Sequence, residues 1–185
     1  MDTDYFDFYI TGTPRSGSAW LSTLFTAHDF ICLHEPTRFP AEWILSQLKI
    51  RKMGAACPSF VYLERAQWLQ WLIDERSKVI VLERKDWKEA YSKFLNNPEF
   101  CKWLRANSKA ELIESLINDF DEELANFKYY IVDKKIQHVT VDFETLFTDE
   151  KRLSDVFNFI GCRLSHEKFI QMKNLKIVTN EKPEL

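Results

Sequence analysis

The hydrophobic residues of this chain form short apolar runs that alternate with segments of helical spacing. The apolar runs predict buried strands at residues 5–10, 30–33, 78–84 and 138–142. Within the third run, Val79–Leu82 shows no alternation of polar and apolar residues, which is typical of a parallel strand covered on both faces. Strands alternating with helices indicate an α/β fold, with a parallel sheet flanked by helices in a single domain.

Helical spacing or helix-boundary residues mark six further segments. We predict helices at residues 18–27, 40–48, 64–75, 86–94, 108–127 and 149–160, with Asp86 as an N-cap, a capping box at Ser108–Glu111 and Gly161 as the last C-cap. Residues 49–59 are basic and then small, so we interpret them as a loop near a substrate. The domain that we predict covers residues 1–173, and residues 174–185 form a polar tail.

Composition narrows the classes of function. The chain has 185 residues and a net charge of −3, which argues against a general nucleic-acid binder. It shows no signal-peptide pattern and no apolar run of 18 residues, so we expect no membrane association. The four cysteines lack C-x-x-C spacing, and we interpret them as reduced thiols of a cytoplasmic protein and not as a metal site.

The segment between the first strand and the first helix carries the clearest chemical signal. Gly12 and Gly17 have the G-x4-G spacing of a phosphate-binding loop, and the helix that follows directs its free N–H groups and its dipole at an anion. The loop is not a Walker A motif, because Ser18 stands at the position of the Walker lysine. Its cation is Arg15, which lies inside the loop.

This loop resembles that of the sulfotransferases. Their pattern is proline, lysine or arginine, serine, glycine, two hydroxyl residues and tryptophan, and here the segment reads Pro14-Arg15-Ser16-Gly17-Ser18-Ala19-Trp20. The resemblance implies that the loop binds the 5′-phosphosulfate of 3′-phosphoadenosine 5′-phosphosulfate (PAPS). It also implies that Arg15 lies over the leaving oxygen and that Trp20 stacks on adenine. The alternative role for Trp20 is a core aromatic residue at the helix start. Ala19 replaces a hydroxyl residue.

Two further segments extend the resemblance over roughly residues 5–160. In the sulfotransferases, an arginine at the end of a central strand and a serine eight residues later bind the 3′-phosphate. Here Arg84 and Ser92 have that spacing, although Lys85-Asp86 replaces the usual Asn-Pro. The alternative is a surface ion pair for Arg84 and a solvent-exposed hydroxyl for Ser92. Phe143-Glu144-Thr145-Leu146 is similar to the Tyr-Glu-Asp-Leu segment of that family.

The resemblance implies transfer of a sulfuryl group to the hydroxyl or amine of a small-molecule or carbohydrate acceptor. Such a reaction needs positioning, charge stabilisation and a base, but no metal. Glu35 is our first candidate for the base and His34 the second, since both follow the second strand at the edge where the loop opens. The alternative for both is a structural polar contact.

Two other functions stay open from the sequence. A small nucleotide kinase would need magnesium, for which Asp142 is the one carboxylate in a suitable position. A binding module that keeps the nucleotide fold without turnover would bind nucleotide and transfer nothing.

Overall fold

Five parallel strands form the centre of the molecule. The structure is a computed structural model that describes residues 5–28, 30–36, 39–49, 52–57, 72–96 and 109–174. The strands are β1 (Phe8–Gly12), β2 (Ile31–His34), β3 (Met53–Ala56), β4 (Lys78–Glu83) and β5 (Gln137–Asp142). Their order in the sheet is β2-β3-β1-β4-β5, and every neighbouring pair is parallel. The prediction of a single-domain α/β fold with a parallel sheet is therefore confirmed.

Helices cover both faces of this sheet. The helices of the described residues are α1 (Ser18–Thr26), α2 (Ala41–Leu48), α3 (Trp87–Leu95), α4 (Lys109–Asp133), α5 (Phe143–Leu146), α6 (Glu150–Phe159) and α7 (His166–Asn174). One apolar layer joins β1 and β4 to α1, α6 and α7 through residues such as Ile10, Leu24 and Phe157. The other joins the same strands to α2, α3 and α4 through Tyr9, Ile44 and Phe127. The four apolar residues of β4 are buried, as their unbroken run predicts.

The interpretation of residues 49–59 as a loop is wrong in its central part. Met53–Ala56 forms β3, which lies between β1 and β2 and is buried along its whole length. Small residues occur here because the strand packs under large neighbours. A Cβ atom on Gly54 would lie 2.2 Å from Cζ of Phe8, so the Phe8 ring fills the space of the missing side chain.

Several helix boundaries have their expected caps, and one differs. The side chain of Asp149 accepts a hydrogen bond from the backbone N–H of Arg152 at 3.0 Å, and Gly161 follows α6 with a φ of 80°. Asp86 precedes α3 as predicted, but its side chain makes no capping hydrogen bond.

Some predictions fall largely or wholly on residues that the structure leaves undescribed. These are most of the helix at 64–75, the capping residue Ser108, and the tail beyond Asn174, which is the last residue of α7. Of the helices that are described, none is both long and apolar enough to span a membrane.

Candidate functional site

The loop between β1 and α1 lies at the carboxyl edge of the sheet, where two left-handed residues reverse the chain. The backbone N–H of Thr13 still donates to the carbonyl of Leu82 at 2.9 Å, which ties the start of the loop to β4. Arg15 and Gly17 then have φ angles of 62° and 83°. A non-glycine residue such as Arg15 rarely adopts this conformation, and such strain is concentrated at functional sites.

The loop presents a row of backbone N–H groups. Among the described residues, no backbone acceptor is recorded for the N–H groups from Arg15 to Trp20, and the first hydrogen bond of α1 runs from the N–H of Leu21 to the carbonyl of Gly17. The hydroxyl of Ser16 is fully buried and also lacks a partner in the described part of the chain. Unpaired buried donors are rare, and an anion at the helix N-terminus would satisfy them together.

A second arginine, Arg84, contacts the loop beside this row of N–H groups. Arg84 follows β4, and its backbone N–H donates to Oγ1 of Thr13 at 2.9 Å. Its side chain reaches back to the loop, where Nη1 donates to the carbonyl oxygen of Arg15 at 3.1 Å. Partial desolvation and the charge of Arg84 lower the pKa of the Arg15 guanidinium. The site therefore combines free N–H groups with two adjacent positive charges.

Aromatic rings support both arginines, and the sequence did not assign these rings to the site. The Arg15 guanidinium lies 5.0 Å from the ring centre of Phe94, and that of Arg84 lies 4.9 Å from the ring centre of Phe143. Phe143 also packs against the loop, because a Cβ on Gly17 would lie 3.0 Å from the Cε2 atom of Phe143. The signal for Phe143 was its place in the Phe-Glu-Thr-Leu segment.

Asp86 is a further residue that was not assigned to the site from the sequence. Its carboxylate accepts two hydrogen bonds from Arg84, at 2.6 Å from Nε and 3.0 Å from Nη2. This fork-to-carboxylate contact raises the pKa of Arg84 and lowers that of Asp86. The available signal was an aspartate two residues after an arginine at a strand end.

The remaining residues of the loop have less direct roles. Pro14 is buried, and the Ala19 carbonyl accepts from the hydroxyls of Ser22 and Thr23 at 3.0 and 2.9 Å. Ser92 lies half-buried on α3, where its hydroxyl accepts from Nδ2 of Asn96 at 3.4 Å. No hydrogen bond joins Ser92 to Arg84, two residues that the structure describes, so their joint contact with a 3′-phosphate stays a prediction.

Trp20 lies in the core. Its side chain is 7% exposed, its ring centre is 4.6 Å from that of Phe147, and its Nε1–H donates to the carbonyl of Met172 at 3.3 Å. The ring is thus covered by Phe147, which follows α5, and by α7. These contacts fit the core alternative for Trp20, and its stacking on adenine stays a prediction.

The two candidate bases follow β2 and reach the loop differently. The Nε2 atom of His34 lies 3.5 Å from the hydroxyl of Ser18, the first residue of α1. Glu35 has a left-handed φ of 54°, and its N–H donates to the carbonyl of Ala56 at 2.7 Å. This contact fixes the end of β2 against β3. The structure therefore brings His34 against the loop and holds Glu35 in a strained conformation beside it.

Within the part of the chain that is described, no group of three or more histidine, cysteine, aspartate or glutamate side chains has the geometry to hold a metal ion. Asp142, the carboxylate considered for a kinase, ends β5 opposite Glu83 of β4.

Comparisons by sequence find nothing similar, since neither a protein-family model nor a curated protein matches the chain. Comparisons of structure find sulfotransferases. Mouse sulfotransferase SULT7A1, solved in complex with PAP, aligns with a TM-score of 0.57 and 15% identity over 91% of this chain and 62% of its own. The sulfotransferase domain from the curacin biosynthetic pathway aligns with a TM-score of 0.60 and 15% identity over 91% of this chain and 77% of its own.

A third similar structure is the sulfotransferase domain from the Synechococcus PCC 7002 olefin synthase, with a TM-score of 0.59 and 14% identity over 99% of this chain and 84% of its own. The chain spans 62% of the length of the mouse protein. Identities this low establish the arrangement of the backbone and leave the activity open. The chain has the fold of the sulfotransferases.

Proposed function

We propose that this protein is a sulfotransferase that uses PAPS and transfers its sulfuryl group to an acceptor hydroxyl or amine. The observation that carries the proposal is the loop at residues 13–20. It combines N–H groups that have no backbone acceptor among the described residues, the buried Ser16 hydroxyl, the Arg15 side chain and a contact from the Arg84 guanidinium. Such a set of donors suits an anion with several oxygens. The PAP-bound mouse sulfotransferase of the same fold supports the choice of nucleotide.

The residues at the loop fit the parts of such a nucleotide. When bound, PAPS would supply the activated sulfuryl group. The N–H groups of Ser16 to Ala19 would hold its 5′-phosphate, and Arg15 would stabilise the negative charge that develops on the leaving oxygen. Arg84, with Ser92, would bind the 3′-phosphate. Trp20 would contact adenine only if its ring, which is 7% exposed here, presents a face to the nucleotide.

A base near the loop would take the proton from the acceptor. Glu35 stays our first candidate, supported by its strained backbone at the carboxyl end of β2. His34 is the second, supported by its contact with Ser18 at 3.5 Å. Both lie on the side of the loop away from Arg84, since β2 and β4 flank β3 and β1. An acceptor between the base and the loop would then face the sulfuryl group.

The kinase and the binding module predict different behaviour. A P-loop kinase relies on a lysine that contacts the β- and γ-phosphates, and in this chain Ser18 holds that position against His34. A binding module would bind the nucleotide without transfer to any acceptor.

The test is the selectivity between two nucleotides that differ at the 3′ position. Titration calorimetry should show that adenosine 3′,5′-bisphosphate binds on the order of a hundredfold more tightly than ADP, since two charge-assisted hydrogen bonds contribute ~1.5–3 kcal/mol each. Arg84→Ala should abolish this preference. Arg76→Ala is the matched control, because Arg76 also pairs with an aspartate two residues away, but at the opposite edge of the sheet.

Transfer itself is measured by mass spectrometry, with PAPS and a panel of phenols, sugars, alcohols and amines as acceptors. Equal affinity for ADP and the bisphosphate in the wild-type protein would refute the PAPS site. Selective binding without transfer to any acceptor in a broad panel would favour the binding module.

A further inference from the structure

The carboxylate of Asp86 is turned away from the position that its sequence context predicts. Aspartate at the start of a helix normally accepts a hydrogen bond from a backbone N–H of the first turn, which stabilises the helix. Asp86 is the residue before α3, yet it makes no such bond. Both of its oxygens instead accept from Arg84, at 2.6 and 3.0 Å. The arginine therefore outcompetes the helix for this side chain.

The contact between Asp86 and Arg84 has the geometry with which arginine binds a phosphate. A carboxylate and a phosphate both present two oxygens to two parallel N–H groups of the guanidinium. Arg84 uses Nε and Nη2 for Asp86 and Nη1 for the carbonyl of Arg15. Three of its five N–H donors are thus occupied. A phosphate at Arg84 must share the remaining donors with the carboxylate or displace it.

The two positive charges at the loop indicate a role for the carboxylate of Asp86. Partial desolvation and, after it, the charge of Arg84 lower the pKa of Arg15, and this second cause is a repulsion between the two guanidinium groups. Within the described part of the chain, no carboxylate pairs with Arg15, whereas Asp86 pairs with Arg84. Asp86 thereby offsets part of the repulsion between the two cations. A bound phosphate would also offset the repulsion between these two cations.

We propose that Asp86 is an internal anion that occupies Arg84 before the nucleotide binds and competes with the 3′-phosphate for that guanidinium. Asp86 is then a specificity-determining residue that weakens the binding of 3′-phosphorylated nucleotides and so favours release of the product. This inference rests on the proposed function for the identity of the nucleotide, but the competition between a carboxylate and an anion at Arg84 does not depend on adenine.

The substitution Asp86→Asn tests the competition directly. Asparagine keeps the shape of the side chain and caps helices well, but it lacks the negative charge. Removal of one unit of repulsion a few ångströms from a phosphate should tighten binding of adenosine 3′,5′-bisphosphate by about tenfold. ADP has no 3′-phosphate, and its affinity should change less. Inorganic pyrophosphate is a second probe, which reports on the anion site without the nucleoside.

The chain supplies a matched control in Asp74→Asn. Asp74 also pairs with an arginine two residues later, although both Nε (at 2.9 Å) and Nη2 of Arg76 donate to the same oxygen, Oδ2. That pair precedes β4, at the opposite edge of the sheet from the loop. Both substitutions remove one negative charge and one ion pair. Only Asp86→Asn should change the dissociation constants measured by titration calorimetry.

Each outcome decides the inference separately from the proposed function. Weaker or unchanged binding of both probes by Asp86→Asn would overturn the inference, and weaker binding would mean that Asp86 positions Arg84 for the ligand. A tenfold gain that also appears in Asp74→Asn would overturn it as well. If the wild-type protein binds the bisphosphate no better than ADP, the proposed function fails, and the pyrophosphate affinities of the two variants still decide the competition.

Discussion

The substitution Gly12→Ala should destabilise the fold at the end of β1, where the loop begins. Gly12 has a φ of 137°, and a Cβ atom on it would lie 1.8 Å from the carbonyl oxygen of Leu82. That oxygen cannot move aside easily, because it accepts the hydrogen bond from the backbone N–H of Thr13 at 2.9 Å and belongs to the central strand β4. The two strands must therefore separate to admit the methyl group.

The expected loss of stability follows from two contributions. Backbone strain at this φ costs ~1–3 kcal/mol for a residue other than glycine. Moving β1 from β4 at Gly12 disturbs at least two or three hydrogen bonds, each contributing ~0.5–1.5 kcal/mol. The sum is about 2–7 kcal/mol, with its centre near 4–5 kcal/mol, out of a typical total of ~5–15 kcal/mol. For a protein of this size, the melting temperature should fall by about 10 °C or more.

Gly161→Ala provides the control within the same chain. Gly161 also has a positive φ, of 80°, but no atom lies within 4 Å of the position of its Cβ. Only the left-handed conformation opposes the alanine, at ~1–2 kcal/mol, which corresponds to a fall of about 2–8 °C. Both melting temperatures are measured by circular dichroism. If the two variants melt at the same temperature, the clash with Leu82 does not contribute and the reasoning fails.

Changes at Arg15 and Glu35 test the chemistry of the site, and a change at Tyr9 tests the core beneath it. Arg15→Ala should reduce sulfuryl transfer by ~10²–10³ while weakening bisphosphate binding far less, and Arg15→Lys should keep partial activity; wild-type turnover in the alanine variant would exclude the assigned role. Glu35→Gln should retain nucleotide binding and slow transfer at neutral pH, and an unchanged pH–rate profile would move the role of base to His34. Burial, followed by its contact with Cys57, raises the pKa of the Tyr9 phenol. The stability that the protonated phenol contributes is therefore fully present below pH ~10 and falls progressively as the pH rises further. Tyr9→Phe should make the alkaline decline of the melting temperature shallower, and identical declines would contradict this.

Local sequence signals predicted the elements that position the site. One signal is the unbroken apolar run of β4, and another is the spacing of Gly12 and Gly17. Each depends only on residues that are close in sequence, so both can be recognised without a structure. The strand β3 was missed because its sequence, Met53-Gly54-Ala55-Ala56, lacks the branched residues typical of strands. Its place in the sheet depends on the Phe8 ring, which fills the space above Gly54.

The environment of Trp20 could not be predicted for a related reason. The motif places a tryptophan at the start of α1, but the side chain is enclosed by residues far along the chain. Its hydrogen-bond partner, the carbonyl of Met172, is 152 residues away. Phe147, in contact with the same ring, follows the short helix α5. A motif specifies residue types at a turn, and it does not specify which distant helix covers them.

The contact between Arg84 and the backbone of Arg15 depends on local motifs and on distant backbone contacts together. The residues are 69 positions apart, and each was assigned from its own local motif. Thr13, which has no role in either motif, joins them, since its N–H donates to the carbonyl of Leu82 and its hydroxyl accepts from the N–H of Arg84. These two bonds lock the start of the loop to the end of β4. The Arg84 guanidinium is held in addition by Asp86 and donates to the carbonyl of Arg15, so Arg84 also contacts the loop directly. Loss of the Arg15 side chain should then leave the loop conformation intact, whereas a change at Thr13 or Gly12 should disturb both cations at once.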